Sequence, residues 1–299
     1  YVYRVQPYPL STPDYVSWVL QLNIALLEKS VELLNSVRRF ELIHAHDWLV
    51  AHASRALKHS YQLPLVATVH ATEHGRNHGL HNDVQRFIGS VDWWLTYEAW
   101  RVICCSYYMQ EELQRVLQLP GDKIQLIRNG VNRQDFQVDE ALKDELPAFR
   151  SRYAHPDEKI IFYVGRLVHE KGVQLLLDAA PRILAAYPKC KFVIAGQGPN
   201  ENYLKQKTWE MGTQSQFYFT GYIDDSTRNC LYQCADVAVF PSLYEPFGIV
   251  ALEAMAAGAP VIVPDTGGIS ELINSGFDGL KFNTGSVESL AHQIIQLLG

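Results

Sequence analysis

The stretch from Asp236 to Pro264 fixes more of the fold than any other. Asp236-Val-Ala-Val-Phe240 and Pro260-Val-Ile-Val-Pro264 both read as short buried strands, and the segment between them has the length of a crossover helix. Its ends are punctuated. Pro246 suits a first helical turn, where its missing N–H costs nothing, and Gly258 followed by Pro260 stops the helix. Ala251, Ala254, Ala256 and Ala257 let such a helix lie close against a sheet. Strands joined in this way belong to the α/β class with parallel sheets.

A helix that starts just beyond a strand's carboxyl end offers N–H groups and the positive end of its dipole, an anion site suited to phosphate. Glu245 lies in the turn before this helix and Glu253 two turns inside it, about 12 Å further along at roughly 1.5 Å per residue. That separation excludes a close acid/base pair. Two readings remain: each carboxylate meets a different part of an elongated ligand, or one is an N-terminal acid favoured by the dipole and the other an exposed helix acid.

Strand-like runs ending in polar residues recur along the chain. Glu41–Ala45 leads into His46-Asp47-Trp48, and Pro64–His70 leads into Ala-Thr-Glu73-His74-Gly75-Arg76-Asn77. Open α/β sheets place ligands at such carboxyl ends, so Asp47 and His70 are expected on one rim. A lone histidine is equally a satisfied structural residue. Lys159–Val164 is an almost wholly apolar strand followed by Gly165-Arg166-Leu-Val-His-Glu-Lys171-Gly172 and a helix from Gln174 to Tyr187. Arg166 and Lys171 can converge on one diphosphate across that turn, with Gly165 and Gly172 allowing close backbone approach. Separately, each is an ordinary solvated cation.

The remaining expectations concern architecture. Tyr1–Val5 alternates like a strand, Asp14 caps a long helix from Tyr15 to Arg39 that includes Val37, and Leu80–Trp100 is a helix whose tryptophans pack in the core. Strands are expected at Arg101–Cys105, Ile124–Arg128, Lys191–Ala195 and Phe217–Thr220, and helices at Tyr107–Leu117 and Ser286–Leu298. Thr266-Gly267-Gly268 opens another helix. The Gly196-Gln197-Gly198 turn lacks a third glycine in register and is a weak dinucleotide signal. The irregular stretch Gln137–Glu158, with Pro147 and Pro156, sets a boundary between domains 1–145 and 146–299.

At 299 residues, each domain can bury its own core. A net charge of −6 without a basic run gives no support to a nucleic-acid partner. No run of eighteen apolar residues is free of charge, so no integral membrane segment is expected. Cys104, Cys105, Cys190, Cys230 and Cys234 show no zinc-ligand spacing and read as buried thiols of a reducing compartment, the cytoplasm. Asp224-Asp225 is not the separated Asp-x-Asp of metal-dependent transferases, and no metal or cofactor is expected.

The spacing Glu-x7-Glu within Tyr-Glu245-Pro-Phe-Gly-Ile-Val-Ala-Leu-Glu253-Ala-Met-Ala-Ala-Gly resembles the signature of the retaining family 4 (group 1) glycosyltransferases of the GT-B fold. Gly165-Arg166-Leu-x3-Lys171-Gly172 is similar to that family's second diagnostic motif, and Asn129-Gly130-Val131 to the segment that closes its N-terminal domain. Leu42-Ile-His-Ala-His-Asp-Trp48 is particularly similar to glycogen and starch synthases. Ala71-Thr72-Glu73 after His70, and the retained Glu253, depart from bacterial glycogen synthases, so the likeness is to a broader glycogen-synthase-like group.

The resemblance implies two Rossmann-like domains facing a central cleft, with an acceptor-side domain first and a nucleotide-sugar-binding domain second. It implies retaining transfer of a hexose, glucose, from ADP-glucose or UDP-glucose to a glucan or other carbohydrate, without a metal. By its pattern Arg166 and Lys171 hold the donor diphosphate near the Phe247, Gly248, Ile249 and Val250 backbone. Glu245 lies beside the donor sugar, Glu253 holds the ribose hydroxyls, and His70 points at the sugar. His46 and Asp47 lie where the acceptor approaches. The family's glycine-rich N-terminal loop and returning C-terminal helix are expected outside residues 1–299, which would leave a sheet edge unpaired and part of the donor site missing. The alternatives are a nucleotide-sugar epimerase of similar fold and a non-catalytic nucleotide-sugar or glycan-binding protein.

Overall fold

The computed structural model describes residues 1–36, 39–137 and 144–299; Val37, and positions 138–143 of the expected domain boundary, lie outside them. The chain divides into two compact units, Tyr1–Arg128 and Asn129–Gly299. The division falls earlier than the expected 145/146. The reason is local packing: Phe136 is buried, the Arg228 guanidinium sits 5.0 Å from its ring centroid, and Asn229 Nδ2 donates to the Asp135 carbonyl at 2.7 Å. These contacts tie the segment after Asn129 to the second unit.

The first unit holds four parallel strands in the order β1-β2-β3-β4: β1 (Ile43–His46), β2 (Leu65–Thr68), β3 (Arg101–Cys104) and β4 (Ile124–Leu126). Its helices are α1 (Tyr15–Leu34), α2 (Ala51–Tyr61), α3 (Glu73–Asn77), α4 (Asp83–Glu98) and α5 (Tyr107–Val116). Asp14 caps α1 as expected, accepting from Ser17 N at 2.8 Å. The helix ends at Leu34 instead of Arg39, because Ser36 turns its hydroxyl onto the Leu33 carbonyl at 2.6 Å and offers the backbone an alternative partner. Tyr1–Val5 forms no strand. Among the described residues the sheet of this unit begins at β1.

A second correction concerns the aromatics of α4. Trp93 is 47% and Trp100 64% exposed; only Trp94 is half-buried, between His52 and Arg55. The helix buries Ile88, Val91, Asp92, Leu95 and Thr96, a phase that turns Trp93 and Tyr97 outward.

The second unit is a six-stranded parallel sheet in the order β10-β9-β8-β5-β6-β7, from β5 (Lys159–Val164), β6 (Cys190–Ala195), β7 (Phe217–Gly221), β8 (Val237–Val239), β9 (Val261–Pro264) and β10 (Leu280–Phe282). Its helices are α6 (Leu146–Arg150), α7 (Val173–Ala186), α8 (Glu201–Glu210), α9 (Asp225–Cys234), α10 (Ile249–Ala257) and α11 (Val287–Leu298). Numbered from β5, the order reads 3-2-1-4-5-6, the doubly wound Rossmann arrangement, and its direction reverses between β5 and β8.

Strand geometry sends alternate residues of β5 to opposite faces. Ile161 and Tyr163 join the core with Leu176, Ala180, Leu290 and Ile294, under α7 and α11. Ile160 and Phe162 join Leu231, Tyr232, Ala251 and Ala254, under α9 and α10. The methyl side chains of Ala251 and Ala254 let α10 approach the sheet closely, as its composition predicts. Cys104, Cys105, Cys190 and Cys230 are buried and Cys234 half-buried, and burial raises the Cys190 and Cys234 thiols to about 11.

Candidate active site

The point where strand order reverses carries the loops after β5 and β8, and both hold signature residues. Gly172, at φ +70°, closes the first loop; a Cβ there would lie 1.8 Å from the Pro241 carbonyl oxygen of the second. Only glycine fits. Leu243 N and Tyr244 N then donate to the Glu170 carbonyl at 2.8 and 3.3 Å, joining the loops. Their side chains meet as well: Lys171 Nζ lies 2.6 Å from Glu245 Oε2, and Ser242 Oγ donates to the same oxygen at 3.5 Å.

Arg166 is placed differently from Lys171. Tyr163 OH donates to its carbonyl at 3.0 Å, while its guanidinium, 68% exposed, reaches Glu170 Oε1 at 3.4 Å. Both cations thus sit on one loop, but each has a carboxylate partner, Glu170 for Arg166 and Glu245 for Lys171. Glu170 is a residue that motif reading passed over.

The helix start departs from expectation in one respect. Pro246 precedes α10 instead of occupying its first turn, because Gly248 takes φ +89° and delays the helix to Ile249. A Cβ on Gly248 would lie 2.4 Å from Ile269 Cγ1. The N-cap residue, Gly248, has no side chain to cap the helix, and Ile249 and Val250 carry first-turn N–H groups at the positive end of the dipole. At the other end Gly258 takes φ +87° and stops the helix as expected. Gly267-Gly268 opens a short 3-10 turn, Gly268–Leu272, and not an α-helix. Gly268 N donates to the Glu245 carbonyl at 2.8 Å, and a Cβ on Gly267 would lie 2.7 Å from that oxygen, so the pair of glycines fixes the Glu245 backbone.

Glu245 and Glu253 have separate surroundings. Glu253 Oε2 accepts from Tyr232 OH at 3.4 Å and lies 3.9 Å from Arg228 Nε. Burial raises its pKa and the Arg228 charge opposes that rise. Gly196 and Gly198 serve close loop packing: a Cβ on either would meet the Gly165 or Leu167 carbonyl oxygen at 1.9 or 2.3 Å.

In the first unit the structure brings together the residues expected on its rim. Asp47 Oδ1 accepts from His70 N at 2.8 Å, and Asp47 N donates to the Thr68 carbonyl at 3.0 Å, linking the ends of β1 and β2. His46 Nδ1 and His70 Nε2 share a hydrogen bond at 3.0 Å between stacked rings. The His44 ring centroid lies 4.4 Å from that of His46. Burial, then the neighbouring His44 and His70, lower the His46 pKa. Asp92, which sequence reading did not single out, is 2% exposed and accepts from Glu73 N at 3.1 Å; burial pushes its carboxyl to about 7. Its place among the buried positions Ile88, Val91 and Leu95 of α4 was the available signal. Among the described residues no group of three or more His, Cys, Asp or Glu could hold a metal ion.

Two family models cover this geometry: one described as glycosyl transferases group 1 matches residues 147–299, and one described as Glycosyltransferase Family 4 matches residues 1–135. The chain belongs to the group 1 glycosyltransferases. This glycosyltransferase is 37% identical over 297 residues to an uncharacterized glycosyltransferase of Methanocaldococcus jannaschii, covering 99% of its own length and 75% of that protein. It is 34% identical over 290 residues to the glycogen synthase of Mycobacterium tuberculosis, with 95% of the chain and 67% of the relative covered. A solved sucrose-phosphate synthase from Thermosynechococcus elongatus superposes with a TM-score of 0.83 at 25% identity, covering 99% of this chain and 73% of that one. With the two parallel-sheet α/β units, these likenesses make the fold GT-B.

Proposed function

We propose that this glycosyltransferase transfers a hexosyl group, glucose, from ADP-glucose or UDP-glucose to a glucan or other carbohydrate acceptor with retention of configuration. The observation that carries the reading is the Lys171–Glu245 pair beside a helix start whose N-cap is Gly248, at the reversal point of a doubly wound sheet. Open α/β sheets bind ligands there, and a diphosphate is the ligand that first-turn N–H groups and two cations suit. The likeness to a glycogen synthase supports glucose as the sugar and a glucan as the acceptor.

In this reading the bond from the anomeric carbon to the diphosphate oxygen breaks as the acceptor hydroxyl forms a new bond on the same face, and the hydroxyl proton leaves with the nucleoside diphosphate. Negative charge grows on the diphosphate through that step. Arg166, Lys171 and the N–H groups of Ile249 and Val250 offset it, which is electrostatic stabilisation without a metal. Glu245 is placed at the sugar, with its backbone held by Gly267 and Gly268 and its carboxylate by Lys171. Glu253 takes the ribose. In the first unit, His70 is assigned to the donor sugar and His46 and Asp47 to the acceptor side.

No helix of the described residues is long and apolar enough to cross a membrane. We place the protein in the cytoplasm, where buried thiols stay reduced. The test is product analysis after incubation with ADP- and UDP-sugars and glucan acceptors. An α-linked glucoside from an α-configured donor is expected. An epimerised nucleotide sugar, or binding without turnover, overturns the reading.

A further inference from the structure

Among the described residues, Glu253 is held from one side. The two described neighbours that bond or pair with it, Tyr232 OH at 3.4 Å and Arg228 Nε at 3.9 Å, act on Oε2. Tyr232 is fully buried, packed edge-on to Phe162 at 5.3 Å, and its hydroxyl also reaches the Val250 carbonyl at 3.3 Å. Arg228 is confined too. Its Nη1 pairs with Asp225 Oδ1 at 2.8 Å, its Nε and Nη2 both donate to Asn229 Oδ1 at 3.3 and 3.1 Å, so that it faces Glu253 as a charge and not as a hydrogen-bond donor, and its guanidinium lies over the Phe136 ring. An arginine this constrained, on a different helix from the carboxylate it faces, acts as a fixed post.

We propose that Arg228, with Tyr232, is a positioning residue that pins Glu253 through Oε2 and presents Oε1 as the acceptor for a ribose hydroxyl of the nucleotide. The inference rests on the reading of Glu253 as the ribose contact. It makes recognition of ribose depend on α9 as well as α10. It also gives Arg228 a second effect, since its charge opposes the burial that raises the Glu253 pKa. The other charged group acting on this carboxylate is Asp225, which raises its pKa. Arg133 and Asp135 of the 3-10 turn Arg133–Phe136, and Glu271 of the turn Gly268–Leu272, belong to the elements packed against α10.

The test is the affinity of ADP and UDP, each against its 2′-deoxy and 3′-deoxy form, at pH 5.5 and pH 8. It compares the parent with Arg228→Met, Arg228→Lys, Tyr232→Phe and Glu253→Gln. Arg228→Met is expected to lose most of the preference for ribose and to weaken, relative to the parent, about tenfold more at pH 5.5 than at pH 8, because a carboxyl without its cation protonates sooner. Arg228→Lys restores much of both. Tyr232→Phe keeps the buried ring and loses part of the preference with little pH dependence. If Arg228→Met weakens binding equally at both pH values and keeps the ribose preference, Arg228 is merely structural and the inference fails. If Glu253→Gln itself keeps the ribose preference, the assignment of Glu253 fails, and the inference with it.

Discussion

The two rims stand on the same kind of parallel sheet but hold their polar groups by different means. In the first unit, Asp47 is bound to a backbone N–H and His46 and His70 are bound ring to ring. In the second, Lys171 and Glu245 form an ion pair between two loops that touch so closely that glycine is required at 172, and Gly267 of a third loop packs as closely on the Glu245 carbonyl. Rings and backbone bonds leave orientation to side chains, whereas contacts between backbones fix it. The second rim is therefore the less adaptable of the two, which suits the proposed stabilisation of a departing diphosphate.

The largest effect that separates the rims is expected at Gly172. Gly172→Val adds strain of about 1–3 kcal/mol for its left-handed backbone and a Cβ overlap with the Pro241 carbonyl, and should abolish transfer and lower the melting temperature. Gly212→Ala has a similar φ of +67° but open space around it, so it incurs only the backbone cost. Equal losses in the two variants would break the argument from close approach.

Next come the cations. Charge-assisted hydrogen bonds contribute roughly 1.5–3 kcal/mol, so Arg166→Ala or Lys171→Ala should lower kcat about tenfold to a hundredfold, with a smaller fall in nucleoside diphosphate affinity. Asp47→Ala leaves the His70 N–H unpaired, a loss of about 1–3 kcal/mol, and should reduce transfer with nucleoside diphosphate affinity unchanged. Calorimetric binding and initial rates on the three variants sharpen the contrast; a drop in nucleotide affinity in Asp47→Ala would blur it.

Stability in the first unit should respond to pH through Asp92. Its folded pKa of about 7 lies above the ordinary carboxylate value, so its contribution is fully present below about pH 4 and is lost as pH rises through 7. Asp92→Asn can still accept from Glu73 N and removes the charge. It should be more stable than the parent at pH 8, by up to about 4 kcal/mol, and no more stable at pH 4. Denaturant melts at both values decide. The smallest effect is expected from excess chelator, which should leave transfer unchanged; activity lost and then restored by a divalent ion would contradict the metal-free reading.

Much of this was legible in the chain. Lys159–Val164 is a strand with the expected bounds because the five apolar residues Ile160–Val164 suit a buried parallel sheet. The loops that follow strands were visible as polar breaks, which located Arg166, Lys171, Asp47 and His70. Other elements left weaker traces. Ala51–Tyr61, Glu201–Glu210 and Asp225–Cys234 are helices rich in polar residues with narrow buried faces, and Leu280–Phe282 is a three-residue strand. The start of α10 was misplaced because Pro246 fits a first turn in sequence, while the left-handed Gly248 decides it in space. Arg228 and Tyr232 approach Glu253 from another helix, a tertiary contact that no local spacing encodes.

The most direct test of the central claim, that the Lys171–Glu245 rim is the donor-sugar site, is kcat measured beside nucleoside diphosphate affinity in Glu245→Gln. The variant keeps the shape of the side chain and removes its charge. The account predicts binding within a few-fold of the parent, since Lys171 is released to the diphosphate, and a loss of most transfer. Transfer at the parental rate, or a loss of binding as large as the loss of turnover, would contradict it.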